Sequence, residues 1–213
     1  TEYDISLASA FAILQQFPQD YEAVYIGISR EGNWYHYWGP LTGIEKDTWL
    51  SIGPCRQVVL SPSPAHKGFI EFVDGQCVFM DIDIVFPVLH GKNGEDGSVQ
   101  GLLQLAELPY VGWDMNASVI GMDKVLAHTL AKDAGVAVPH AVTIYRGDCI
   151  EKAIAAEIFD YPLYVKPAKS GSSIGITKVY CQEDLLNAVK KAFLYDDKVL
   201  IEENIIGFEV GCA

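Results

Sequence analysis

The sequence predicts an α/β protein in two parts: a Rossmann-like N-terminal domain built on a parallel sheet, and, from about residue 119, an α+β segment with a sheet of its own. Three observations carry this. The run Asp83–Leu89 is almost continuously apolar, as expected of a strand buried on both faces of a parallel sheet, and it leads through a glycine-rich turn into an amphipathic helix. Near residue 118 the pattern starts afresh, alternating strand-like runs with helical periodicity to the end of the chain. With 213 residues, 50% hydrophobic and 20% charged, the chain can fill one large or two small cores.

In chain order, Glu2–Ala10 opens a helix that reaches about Phe17, where Pro18 stops it. Its polar first turn stands at residue 1, so a preceding strand and glycine-rich turn are expected to belong to the protein although these residues do not include them. Tyr21–Ile28 predicts a strand and Trp34–Trp38 a second. Arg56–Leu60, Gly68–Phe72 and Gln76–Met80 predict an antiparallel excursion, with Asp74-Gly75 as a hairpin turn. Pro109–Gly112 reads as a short strand and Asn116–Met122 as a short helix. Asp123 then caps a helix from Lys124 to Ala134, with Gly135 at its C′ position. The second part predicts elements at Val142–Tyr145, Glu151–Glu157, Pro162–Lys166 and Ile176–Tyr180. A helix with Leu185, Leu186, Val189 and Phe193 on one face follows, and then Lys198–Glu202. Gly207–Ala213 looks like the beginning of another strand.

Composition narrows the partners. A formal net charge of -13 opposes binding to nucleic acid or an anionic membrane surface. The longest apolar run, Ile84–Leu89, is far short of a membrane span. Cys55, Cys77, Cys149, Cys181 and Cys212 are odd in number and form no CxxC pair, which suits a reducing cytoplasm. The five histidines show no HxxxH or HExxH spacing, so zinc is not expected, and any metal would be held by oxygen.

Three stretches carry candidate chemistry. Val165-Lys166-Pro167-Ala168-Lys169-Ser170-Gly171-Ser172-Ser173-Ile174-Gly175 is a strand end entering a small, hydroxyl-rich loop. Its lysines and glycines suit an anion, although neither the Gly-Lys-Ser/Thr phosphate loop nor GxGxxG is present and a glycine-rich hairpin is the plainer alternative. His90-Gly91-Lys92-Asn93-Gly94-Glu95-Asp96-Gly97-Ser98 follows the apolar run, where ligands of parallel sheets bind; His90, Lys92, Glu95 and Asp96 are candidates there, against a simple capped turn. Glu2 places a carboxylate in the first turn of a helix, favoured by the dipole whether or not it binds anything.

Taken together, Glu2-Tyr3-Asp4-Ile5-Ser6, His90 to Gly97, Met122-Asp123-Lys124, Val165-Lys166-Pro167 with Ser170-Gly171-Ser172-Ser173, Ile201-Glu202-Glu203 and Gly207-Phe208-Glu209-Val210 resemble the D-alanine–D-alanine ligases, a branch of the ATP-grasp enzymes. The resemblance covers the whole chain. It implies a substrate-binding α/β domain over 1–118, a central ATP-grasp subdomain over 119–205 and the start of a C-terminal ATP-grasp subdomain at 206–213. It implies that Lys124, Lys166, Ser172 and Ser173 hold ATP phosphates, that Glu202, the main chain of Glu203 and Ile205 line the adenine pocket, and that Glu209 takes the ribose hydroxyls. Glu2 would bind the ammonium of the first D-amino acid and link to Ser172, His90 would lie by the substrate carboxylate, and Glu95 would hold that loop. Glu2, Ser172 and His90 are the implied catalytic set.

The implied reaction phosphorylates the carboxylate of one D-alanine with ATP and Mg2+, and the amine of a second D-alanine then attacks the acyl phosphate. The product serves peptidoglycan synthesis in a bacterial cytoplasm, in an enzyme expected to be a homodimer. D-serine is an alternative second substrate, as in the vancomycin-resistance branch; Ala8, where the D-lactate type resembles a lysine, speaks against D-lactate. A different ATP-grasp ligase and a non-catalytic fragment are the other readings. The resemblance also implies a C-terminal half, with the magnesium ligands, an arginine and a closing loop, that is not among these residues. These residues alone are therefore expected to lack ligase activity and to expose apolar surface.

Overall fold

A computed structural model describes residues 2–151 and 160–211, and the chain divides into two compact units, Thr1–Ser118 and Val119–Ala213.

The first unit begins with α1 (Tyr3–Gln15), followed by β1 (Tyr25–Ile28), β2 (Trp34–Tyr37), α2 (Leu41–Glu45), α3 (Trp49–Ile52), β3 (Cys55–Leu60), β4 (Gly68–Val73), β5 (Gln76–Asp81) and α4 (Ser98–Leu105). Its sheet corrects the Rossmann-like expectation. The strands run in the order β1-β2-β3-β4-β5, and every pairing in this sheet is antiparallel. The cause is local: the connections from β1 to β2, β3 to β4 and β4 to β5 are too short for a crossover and can only turn the chain back. The tightest is Asp74-Gly75, both at positive φ (48° and 79°), joining the pair Val73↔Gln76 as a hairpin.

Asp83–Leu89 is not a sheet strand. It makes one parallel bridge, Val85↔Tyr110, so the expected strand at Pro109–Gly112 shrinks to its bridging residue. Ile84 and Phe86 are 50% and 51% exposed. Pro87 has no N–H to donate, and a continuous apolar run carries no periodicity to distinguish two buried faces from one.

Each face of the antiparallel sheet has its own cover. Tyr37, Ile44 and Trp49 pack with Leu7, Phe11 and Leu14 of α1 on one side, where Gly27 allows the Trp49 ring against β1: a Cβ there would stand 2.7 Å from the ring. Val58, Leu60 and Phe69 pack with Val99, Leu103 and Leu108 on the other. At the margin of this second cluster Glu71, 7% exposed, accepts from His36 at 2.8 Å and Arg56 at 3.1 Å. Burial alone would raise the Glu71 carboxyl, but these two donors outweigh it and hold it below the usual glutamate range. The unfolded chain therefore takes up its proton first as pH falls. Stability from Glu71 is complete above the unfolded value of about 4.3 and disappears as pH drops through the lower folded value. Glu71→Gln is expected to cost about 1–3 kcal/mol at pH 7 and to flatten the acid loss, as urea unfolding followed between pH 7 and pH 3 will show.

The second unit contains α6 (Lys124–Asp133), β6 (Ala141–Tyr145), β7 (Leu163–Pro167), β8 (Thr177–Val179), α7 (Gln182–Ala192) and β9 (Lys198–Glu203); α5 (Met115–Met122) crosses the division. Its sheet has the order β6-β9-β7-β8 and is antiparallel throughout. Leu163 and Val165 of β7 and Val199 and Ile201 of β9 face Leu185, Ala188, Val189 and Ala192 of α7, a stripe at helical spacing. Gly135 stands past the end of α6 at φ +79°, as a C′ glycine should. Residues 152–157 of the element expected at Glu151–Glu157, and Cys212 and Ala213, lie outside the described residues. No strand forms over residues 204–211, against the expectation at Gly207–Ala213; Ile206, Phe208 and Val210 are 95%, 89% and 78% exposed, with no partner strand among the described residues.

Candidate functional sites in the two units

In the first unit α1 and the loop after residue 89 converge. Glu2, Ser6 and Ser9 fall at i, i+4 and i+7, one face of a helix. Ser6 accepts the backbone N–H of His90 at 2.9 Å, and Ser9 Oγ stands 2.9 Å from His90 Nε2. Glu95 Oε2 accepts the N–H of Gly91 at 2.7 Å, while Oε1 lies 3.7 Å from His90 Nδ1. One polar atom each of Glu2, His90 and Glu95 lies within 4.8 Å of the other two. The loop is built to hold this shape. Gly91 is at φ +76°, with Glu2 3.4 Å from where its Cβ would be, and Gln100 donates to Gly94 O at 2.8 Å. Asp96 accepts from the N–H groups of Asn93 and Ser98 at 3.0 and 3.1 Å; burial would raise its carboxyl, but these bonds prevail and hold it low. The N-cap of α4 is Gly97 rather than Asp96 or Ser98, with Asp96 tying down the first helical N–H. Lys92 is exposed.

Chemically this is a small anionic cluster with one imidazole. It suits an ammonium group at Glu2, beside a histidine whose ring is fixed by Ser9. The sequence reading missed Ser6 and Ser9, although their spacing from Glu2 was the available signal.

In the second unit the sheet face opposite α7 carries charge. Glu202 of β9 is 1% exposed and forms an ion pair with Lys166 of β7. Lys166 also lies over the Tyr164 ring, 5.4 Å from its centre. Lys124, first residue of α6, donates its backbone N–H to Ala168 O at 3.1 Å and its Nζ to Ser170 O at 2.6 Å, so it grips the base of the serine-rich loop. Burial and then the neighbouring Lys166 charge depress its ammonium, with Glu202 opposing. Asp123 caps α6 through Val125 and Leu126 and forms a buried ion pair with Lys198, a partner that the sequence reading did not assign.

The loop itself is a folded turn over Ser170–Gly175, with the Ile174 N–H donating to Gly171 O at 3.0 Å. Ser170 donates to Ile174 O at 3.0 Å, while Ser172 and Ser173 are exposed with φ of 45° and 56°. Gly175 is required for fit: it sits at φ +77°, and its Cβ would come within 2.7 Å of Tyr195 and Pro167. Lys169 is exposed and does not reach inward. Glu203 is turned to His140, whose N–H it accepts at 2.8 Å. Ile205, 62% exposed, and Glu209, exposed, stand outside any helix or strand; no hydrogen bond or ion pair ties Glu209 to Glu202 among the described residues.

The arrangement fits a nucleoside phosphate. Two lysines crowd each other on a desolvated face, a situation that an anion relieves, and Glu202 Oε1 is a buried acceptor with no donor. Among the described residues the one cluster of three metal-compatible side chains, Glu2, His90 and Glu95, includes an imidazole and is not a magnesium cage; Mg2+ prefers oxygen ligands and is commonly held by one or two carboxylates together with the phosphates it serves.

Both parts of the chain match models of one kind of protein. The family described as D-ala D-ala ligase N-terminus matches residues 1–113, and D-ala D-ala ligase C-terminus matches residues 130–213. The chain belongs to the D-alanine–D-alanine ligase family. A D-alanine–D-alanine ligase of Caldicellulosiruptor bescii is 44% identical over 221 aligned residues, covering 100% of this chain and 59% of that protein. The vancomycin B-type resistance protein VanB of Enterococcus faecalis is 43% identical over 213 residues, again 100% of this chain and 59% of its own length. Among solved structures, the VanG D-Ala:D-Ser ligase of Enterococcus faecalis superposes with a TM-score of 0.89 at 43% identity, covering 98% of this chain and 60% of that one. The chain thus spans about three fifths of the length of these proteins, and the family brings the ATP-grasp fold with it.

Proposed function

We propose that this chain is the substrate-binding and nucleotide-binding part of an ATP-dependent ligase that joins D-alanine to D-alanine. The observation that carries the reading is the face shared by Lys124, Lys166 and Glu202, two cations beside a buried acceptor without a donor. Lys124 and Lys166 would take phosphate oxygens, with Ser172 and Ser173 closing above them. Glu202, the Glu203 main chain, Ile205 and Glu209 would receive the nucleoside. Glu2 would accept the ammonium of the first D-alanine, and His90, oriented by Ser9 and flanked by Glu95, would meet its carboxylate.

ATP supplies the activation of the carboxylate as an acyl phosphate, which the second amine attacks. The chain's own contribution is to position the groups and to set fixed positive charge around the phosphates. With this reading go a homodimer in a bacterial cytoplasm and a product destined for peptidoglycan; among the described residues no helix is long and apolar enough to cross a membrane.

A second reading, D-serine as the incoming amine, is favoured by the likeness to the VanG D-Ala:D-Ser ligase at 43% identity. Product analysis by mass spectrometry on the protein at its natural length, supplied with ATP, Mg2+, D-alanine and equimolar D-serine, tests both. D-alanyl-D-alanine as the main product is expected. D-alanyl-D-serine as the main product favours the second reading, and phosphate release with another amino acid but never with D-alanine defeats both.

A further inference from the structure

Glu202 and His128 meet in the second unit in an arrangement that the chain's own hydrogen bonds leave incomplete. Lys166 takes Glu202 Oε2, while Oε1 is buried and accepts nothing. His128 Nε2 stands 3.8 Å from Oε1, beyond hydrogen-bonding distance, and His128 Nδ1 is buried without a partner. His128 follows Lys124 by four residues on α6, so the two share a helix face. Buried polar atoms are almost always paired, and an orphan carboxylate oxygen with an imidazole nitrogen 3.8 Å away, beside Lys166, marks where a ligand can complete the network.

The accounting also sets the ring. A buried N–H without an acceptor is rarer than a buried lone pair without a donor, so in the neutral ring the proton belongs on Nε2, which at 3.8 Å from Glu202 Oε1 does not donate to it. The edge offered to a ligand is then one acceptor, Glu202 Oε1, beside one donor, His128 Nε2–H. A six-aminopurine presents the complement, an amine next to a ring nitrogen that accepts. A six-oxopurine sets an oxygen against the carboxylate, and a site left with unpaired buried groups rejects such a ligand strongly.

We propose that His128 is a specificity-determining residue of the nucleotide site, reading together with Glu202 the amino-bearing edge of a six-aminopurine. The inference rests on the nucleotide reading above and adds a residue to it.

The test is calorimetric affinity for adenosine diphosphate and inosine diphosphate in wild type, His128→Leu and His128→Gln. Wild type is expected to prefer the adenine nucleotide. His128→Leu is expected to lose about tenfold in its affinity while keeping the inosine affinity within about twofold, the loss of one neutral hydrogen bond. His128→Gln, which keeps an N–H donor, should recover part of the preference. An equal fall for both nucleotides, or an unchanged ratio in His128→Leu with tight adenine binding retained, overturns the role of His128 alone. Binding of neither nucleotide by wild type overturns the nucleotide reading and this inference with it.

Discussion

Replacing Lys166 by methionine is expected to destabilise the second unit and to remove nucleotide binding together. Glu202 has 2% of its side chain exposed and Lys166 is its ion-pair partner, so the change leaves a carboxylate buried with no countercharge at bonding distance. Breaking a buried pair from one side costs about 3–5 kcal/mol. Lys166 keeps a quarter of its side chain in solvent, which places the expected cost near the lower end. Urea unfolding measures it. Lys166→Met combined with Glu202→Leu should recover most of the stability, since two apolar groups of similar volume can replace a buried pair, but it should not recover nucleotide affinity. A single variant within about 1 kcal/mol of wild type would mean that water reaches Glu202 and that the pair is not the buried element described above.

Asp123 carries the other large expected effect. Its Oδ1 accepts from Val125 and Leu126 N–H at 3.0 and 3.4 Å, capping α6, and its Oδ2 meets Lys198 with 3% of the Asp123 side chain exposed. Asp123→Ala removes a cap, about 1 kcal/mol, and strands the Lys198 ammonium, about 3 kcal/mol more. Asp123→Asn separates the two contributions, because asparagine still caps while the charge is gone. The alanine variant is therefore expected to be less stable than the asparagine variant by roughly the cap alone, and both should lie well below wild type in a thermal scan. Equal stability of asparagine and wild type would show that the ion pair contributes nothing net.

α1, α4, α5, α6, α7 and the Asp74-Gly75 hairpin were readable because their signals are local, whereas the short α2 and α3 were not read at all. Pro18 after α1, Asp123 and Gly135 around α6, and Asp74-Gly75 between β4 and β5 each act through the backbone of a few neighbours. The sheet of the first unit was not, because strand direction depends on connection geometry and on what covers each face. Asp83–Leu89 reads the same whether it is a central strand or a single-bridge segment. The candidate sites show the same division. Lys166 and the serine loop stand out in sequence. The partners that fix them, Ser6 and Ser9 for His90, Asp123 for Lys198 and His128 beside Glu202, come together only through folding over separations of 74 to 84 residues.

The order β6-β9-β7-β8 has a consequence for synthesis on the ribosome. The last strand to be made lies between two made earlier, since Ala141↔Glu202 pairs one of its edges and Leu163↔Glu203 the other. Until residue 203 has emerged, β6 has no native neighbour and β7 has only β8, so each presents an open edge to other nascent chains. The sheet of the first unit, in which every strand pairs with the next, can be completed strand by strand as it appears. Of the two sheets, that of the second unit is therefore the slower and more aggregation-exposed to form, and β9 is the strand whose arrival closes it.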